Sequence, residues 1–140
     1  MSTATSVIDK TNQRMVNYDL TKLFLGGTRT IKEEITAGAD IAVGTLLDRV
    51  TATGALIPYN STTGGNNRVP VGVIMESIAN GATRVVTICV KGDIDSSELI
   101  FARAGDTLET VVSGQKVKDH LVRTGIFPLA IAQMSEHDNS

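Results

Sequence analysis

The chain of 140 residues has no tryptophan, only three phenylalanines and two tyrosines, three prolines and a single cysteine. With so few aromatics, a core must come from Val, Ile, Leu and Ala, and abundant β-branched residues favour strands over helices. A lone cysteine excludes an internal disulfide. Cys89 lies inside the apolar run "VVTICV" and reads as a small buried hydrophobe. No apolar run approaches the ~18 residues of a transmembrane helix. The start, "MSTATSVIDK", has neither the basic region nor the apolar stretch of a secretory signal. Synthesis in a reducing cytosol, with no membrane attachment, is the expectation.

Groups that carry chemistry are also scarce. His120 and His137 are the only histidines, and neither has a Cys or His at ligand spacing, which argues against zinc. "DIDSSE" at 93–98 resembles the start of a calcium loop, but position six is Glu98 rather than Gly and position twelve is Ala104 rather than Glu. A helix cap explains it better. "GGTRT" and "TTGGNN" lack the Lys-Ser/Thr of a phosphate-binding loop and do not open a helix, so they read as turns. No serine sits in G-x-S-x-G. Glu33 and Glu34 are adjacent and in a strand point to opposite faces. A glycosidase pair remains open on sequence alone, though the shortage of aromatics argues against a sugar cleft. The expectation is a non-enzyme with no cofactor and no metal.

What the chain does have is apolar content of 41%, charged content of 20% and a net charge of −2. These indicate one soluble globular domain, able to bury roughly 70% of its unfolded surface. A general nucleic-acid binder is not expected. Charge is uneven. Residues 1–32 carry +3, from Lys10, Arg14, Lys22, Arg29 and Lys32 against Asp9 and Asp19, and the remainder carries −5. Either the first segment meets an acidic surface or this is ordinary scatter in a polar leader.

Residues 1–27 are polar with short apolar groups and no sustained period, and "GG" at 26–27 closes them. They read as an extended arm that packs poorly on its own domain, with a short helix over 19–25 capped by Asp19 as one option. Residues 28–140 read as a single β-rich domain. Ile31 and Ile35 share one side of an alternating run. Thr53-Gly54 marks a turn, "STTGGNNR" a loop, and Asn80-Gly81 the strongest hairpin signal. In "TRVVTICVKG", Val86, Ile88 and Val90 face one way and Val85, Thr87, Cys89 and Lys91 the other, with Arg84 at the strand mouth. Asp95 with Glu98 three residues on has capping-box spacing, which predicts a short helix. A second helix is expected in "KVKDHLVRTGI", with Val117 and Leu121 on its buried face, His120 exposed and Gly125 in the left-handed position after it. Pro128 stops continuation, and "FPLAIAQM" is a last strand. The expected fold is mainly β with short helices (α+β): a small β-barrel or sandwich-like domain with a flexible N-terminal arm.

The succession of "ITAGADIAVGTLLDRV", "TGALIPYN", "VPVGVIMESI", "VKGDID", "SSELIF" and "LVRTGIFPL" resembles the head decoration proteins of tailed phages, the lambda type, over roughly residues 30–132. The resemblance implies a homotrimeric, non-enzymatic cement protein on the outer surface of the capsid. It would sit at three-fold positions, bind the major capsid protein and stabilise the head against the pressure of packaged DNA. By position and composition, the arm would supply the capsid contact, with Arg14, Met15, Val16, Tyr18, Leu20, Leu23, Phe24 and Leu25 as candidate residues. Another virion β-protein, such as a head fibre or tail component, is the alternative. A small hydrolase or ligand-binding barrel is a third reading.

Overall fold

The alternating run "TRVVTICVKGDID" forms one 13-residue strand, and the rest of the sheet is built around it. The computed structural model describes residues 23–62 and 69–130. In chain order they form β1 (Phe24–Thr36), β2 (Leu46–Arg49), β3 (Leu56–Pro58), β4 (Gly72–Ile74), β5 (Thr83–Asp95), β6 (Val111–Val112), β7 (Gln115–Lys116), α1 (Val117–Thr124) and β8 (Ile126–Leu129). A single 3₁₀ turn, Ser96–Glu98, follows β5. The mainly β architecture with short helical pieces agrees with the sequence.

Six strands form one sheet in the order β1-β5-β4-β2-β3, with β8 also paired to β5. β1 runs antiparallel along one edge of β5, from Thr36↔Thr83 to Phe24↔Ile94. β4 meets the middle of β5, at Val73↔Cys89 and Ile74↔Ile88. β8 lies parallel to its last residues, from Gly92↔Ile126 to Asp95↔Leu129. β6 and β7 make a separate small hairpin.

Both faces of the central strands are buried, so neighbouring residues divide between two apolar clusters. Ile35, Ile41, Leu47, Leu56, Ile74, Ile78, Val86 and Ile88 fill one. Leu46, Tyr59, Val73, Cys89, Ile94, Val117, Leu121 and Ile126 fill the other. The adjacent pairs Leu46-Leu47, Val73-Ile74 and Ile88-Cys89 each contribute to both, which strand alternation requires. The sheet curls about the first cluster. In a flat sheet, β1 and β2 would stand three strand spacings apart, about 14 Å. Yet Arg49 on β2 donates to both carboxylate oxygens of Glu33 on β1, at 2.7 and 3.1 Å. The second cluster is covered by α1 and the β6–β7 hairpin.

Helix α1 ends as the sequence predicts. Gly125 is left-handed at φ 103°, and its N–H donates to the carbonyls of Leu121 and Val122. The turns at Thr53-Gly54 and Asn80-Gly81 also stand where expected, between β2 and β3 and between β4 and β5. Arg84 is at the strand mouth, tied to Glu76 at 3.2 Å. Asp95 caps Ser97 N–H at 3.0 Å, but the helix it begins is one 3₁₀ turn rather than an α-helix.

Other expectations are corrected. Phe24 and Leu25 are strand, not the end of a helix over 19–25. Gly26 and Gly27 do not close a segment; they lie inside β1, at shifts of its register against β5. His120 is buried at 7% exposure, because it shares a stripe with Val117 and Leu121 at i, i+3 and i+4. Ile31 is 39% exposed although it shares a face with buried Ile35 and stands opposite buried Ile88. The last strand starts at Ile126, one residue before the expected Phe127, and Pro128 lies within it as expected. It is tolerated there because β8 pairs only with β5 among the described residues.

At Gly92 the start of β1 crosses β5 closely. A Cβ there would stand 2.9 Å from Thr28 Cα and 3.1 Å from Gly26 O, on a backbone at φ 139°. At Gly81, φ is 85° but a Cβ would meet open space. Gly81→Ala should therefore cost only the left-handed conformation, ~1–2 kcal/mol. Gly92→Ala should cost clearly more, ~3 kcal/mol, through strain added to the clash. Urea midpoints of the two variants test this; equal losses would show that the crossing is not tight.

Candidate functional site

The titratable side chains act mostly as ties between segments. Asp106 has a fully buried carboxylate that accepts from Ser61 N–H at 3.0 Å, Ser61 Oγ at 2.6 Å and Arg103 Nη1 at 2.9 Å. It pins the start of the polar tract after β3 to the loop before β6. Glu109 on that loop receives Lys116 Nζ at 2.6 Å and Lys118 Nζ at 2.9 Å, which hold its carboxyl down at about 2. The Arg49 fork similarly lowers the pKa of Glu33. Cys89 is buried, and desolvation raises its thiol pKa, so it is not an activated nucleophile. His120 Nε2 lies 2.7 Å from the Val112 carbonyl, which accepts a hydrogen bond only from the tautomer protonated there. Among the described residues no three His, Cys, Asp or Glu side chains gather as metal ligands.

What the body presents outward is surface and backbone. β1 is an edge strand of 13 residues, paired only to β5 among the described residues, and residues 27–32 are exposed. Its free edge leaves backbone donors and acceptors able to take another strand. Exposed apolar side chains accompany it: Val85 at 59% on β5 and Phe127 at 41% on β8. The register places the start of β1, at Phe24↔Ile94, and the end of β8, at Asp95↔Leu129, at the same end of β5. The two strands flank β5, about 10 Å apart.

Of the residues named from sequence, Arg14, Met15, Val16, Tyr18 and Leu20 lie outside the described residues. The structure brings Leu23, Phe24 and Leu25 together at the root of β1. Leu23 is 2% exposed in the second cluster, Phe24 packs on that cluster, and Leu25 is half-buried. The structured body thus takes in residues 23–27. Sequence reasoning missed Asp106 and Glu109, whose partners depend on which loops the fold brings together. The burial of His120 was available from its i+3 spacing to Val117.

A chain whose cores are aliphatic, whose charges fasten loops and whose long edge strand lies open is equipped to bind by surface and backbone, as structural proteins do. The family model of bacteriophage lambda head decoration protein D matches residues 20–118, more than two thirds of the chain. The chain belongs to that family. Its role is decoration of a phage capsid, its place is the virion, and the family is structural rather than catalytic. No curated protein sequence matches the chain.

Two outcomes check the ties. Asp106→Ala would leave Ser61 N–H and Arg103 short of an acceptor, and should lower unfolding free energy by about 2–4 kcal/mol in urea titrations. Glu109 tests linkage. Its folded pKa is depressed from 4.5 to about 2, so its contribution is present above 4.5 and lost as pH falls towards 2. The Tm difference between the native protein and Glu109→Gln should be constant at neutral pH and vanish across that interval. A difference that does not vary with pH would refute the tie.

Proposed function

We propose that the protein is a capsid cement protein that binds the outer surface of the mature head at three-fold positions, as a homotrimer, and stabilises the shell against internal DNA pressure. The partner is the major capsid protein, and neither nucleic acid nor membrane is involved. The observation that supports this best is the family match joined to the position of β1. An open-edged strand begins at Phe24, directly after the segment that carries Arg14, Met15, Val16, Tyr18 and Leu20.

The physical logic is additive. Backbone pairing at a sheet edge needs no particular side chain on the partner. Three arms on one trimer turn later contacts into intramolecular events, so weak contacts sum. A ligand that binds the assembled shell and not its separated subunits stabilises assembly by linkage. Leu23 and Phe24 root the arm in the core, so force on the arm is carried into the body rather than into a free hinge.

Deletion of residues 1–22 separates arm from body. The truncated protein should keep its unfolding midpoint and lose binding to heads prepared without it. Deletion of residues 1–27 also removes Leu23 and Phe24 from the core and Gly26 from the crossing at Gly92, and should destabilise the body by ~2–5 kcal/mol. Full occupancy of heads by the protein lacking 1–22 would sink the assignment of the arm.

A further inference from the structure

Nine arginines and lysines lie among the described residues, and they fall into two groups. Arg49, Arg84, Arg103, Lys116 and Lys118 each hold a carboxylate. Arg29, Lys32, Lys91 and Arg123 form no ion pair among the described residues, and the fold brings two of them, Arg29 and Lys91, together. Arg29 on β1 stands directly opposite Lys91 on β5, and Lys32 lies further along the same two strands, opposite Thr87. The stem of Lys91 lies over Gly125 at the end of α1, where a Cβ would meet its Cγ at 2.9 Å and its Cδ at 3.3 Å. Arg123 is two residues before that glycine. Arg29 and Lys91 are both exposed. The nearest acid along β5, Asp93, pairs with Gly26 on β1 and Phe127 on β8 in the register and makes no ion pair among the described residues.

Like charges directly opposite on neighbouring strands are destabilising. Lys91 is partly offset by the carbonyls at the C-terminus of α1, whereas Arg29 has no such offset among the described residues. Two cations without an ion pair among the described residues, Arg29 and Lys91, thus stand opposite each other on a chain whose net charge is −2. We propose that the Arg29–Lys91 pair is a docking point for a carboxylate-bearing segment of the capsid surface. The proposal rests on the capsid-binding reading and adds the chemistry of the partner. An Arg fork beside an ammonium accepts a carboxylate through short, charge-assisted hydrogen bonds. Neutralisation by the partner relieves the cross-strand repulsion, so part of the attraction appears only on binding.

The test is the double variant Arg29→Gln, Lys91→Gln in the full chain. Binding is read by co-sedimentation with heads of the phage that encodes this chain, prepared without it, over a series of NaCl concentrations. The expected result is affinity roughly tenfold weaker at low salt, a shallower salt dependence, and an unchanged or higher Tm. Poly-glutamate should displace the native protein from heads. Unchanged affinity and salt slope in the variant, beside normal binding by the native protein, overturns the docking point alone. So does a fall in Tm large enough to explain the lost binding. Displacement by duplex DNA but not by poly-glutamate replaces the carboxylate partner with a phosphate one and also overturns it. Failure of the native protein to bind heads overturns both this inference and the capsid-binding reading.

Discussion

The structure depends on one strand being buried from both sides. Val86 and Ile88 face the curled part of the sheet, while Cys89 and Ile94 face helix α1 and β8, all at no more than 1% exposure. β5 also holds three partners: β1 along one edge, and β4 and β8 in succession along the other. Neither apolar cluster is independent of the other, because the backbone that carries one carries both. A cavity opened on either side of β5 displaces side chains that interdigitate at native density, and the strand transmits the shift. This couples two small aliphatic clusters into one cooperative unit without any tryptophan to anchor them.

The polar ties work around this centre and differ in weight. Glu33 and Arg49 are each about one third exposed, so their pair contributes little energy, on the order of 1 kcal/mol or less. Its importance is geometric, since it joins strands that the sheet order separates. Asp106, with no carboxylate exposure, is a different case: three hydrogen bonds replace the water it has lost. Removal of a partner there leaves a buried charge without compensation, which is costly.

An open edge strand of 13 residues is an aggregation hazard unless managed. β1 carries Arg29, Lys32, Glu33 and Glu34 along it, and the register shifts near Gly26 and Gly27 break its regularity at one end. These features discourage pairing with arbitrary strands. On the capsid-binding reading they also leave the edge available to a partner that brings the right charge. The same residues then serve solubility in the free protein and selectivity on the shell.

Much of the fold was legible from the residues. The alternation in "TRVVTICVKG" set the faces of β5, Asn80-Gly81 set the hairpin before it, and Gly125 set the end of α1, because each depends on local backbone chemistry. The family pattern was legible as well, in the succession of strand and turn signals from residue 30 onward. The root of β1 was not. "LFLGG" is too short and too glycine-rich to declare a strand, and Leu23 is buried because it joins a cluster whose other members, from Leu46 to Ile126, lie far along the chain. The tie between Asp106 and Ser61, the burial of Asp106 and the opposition of Arg29 to Lys91 likewise join residues 45 to 62 positions apart. Local sequence specified the elements through φ, ψ and side-chain alternation. Which elements share an edge, and therefore which charges meet, was decided by long-range strand register, which no local pattern encodes.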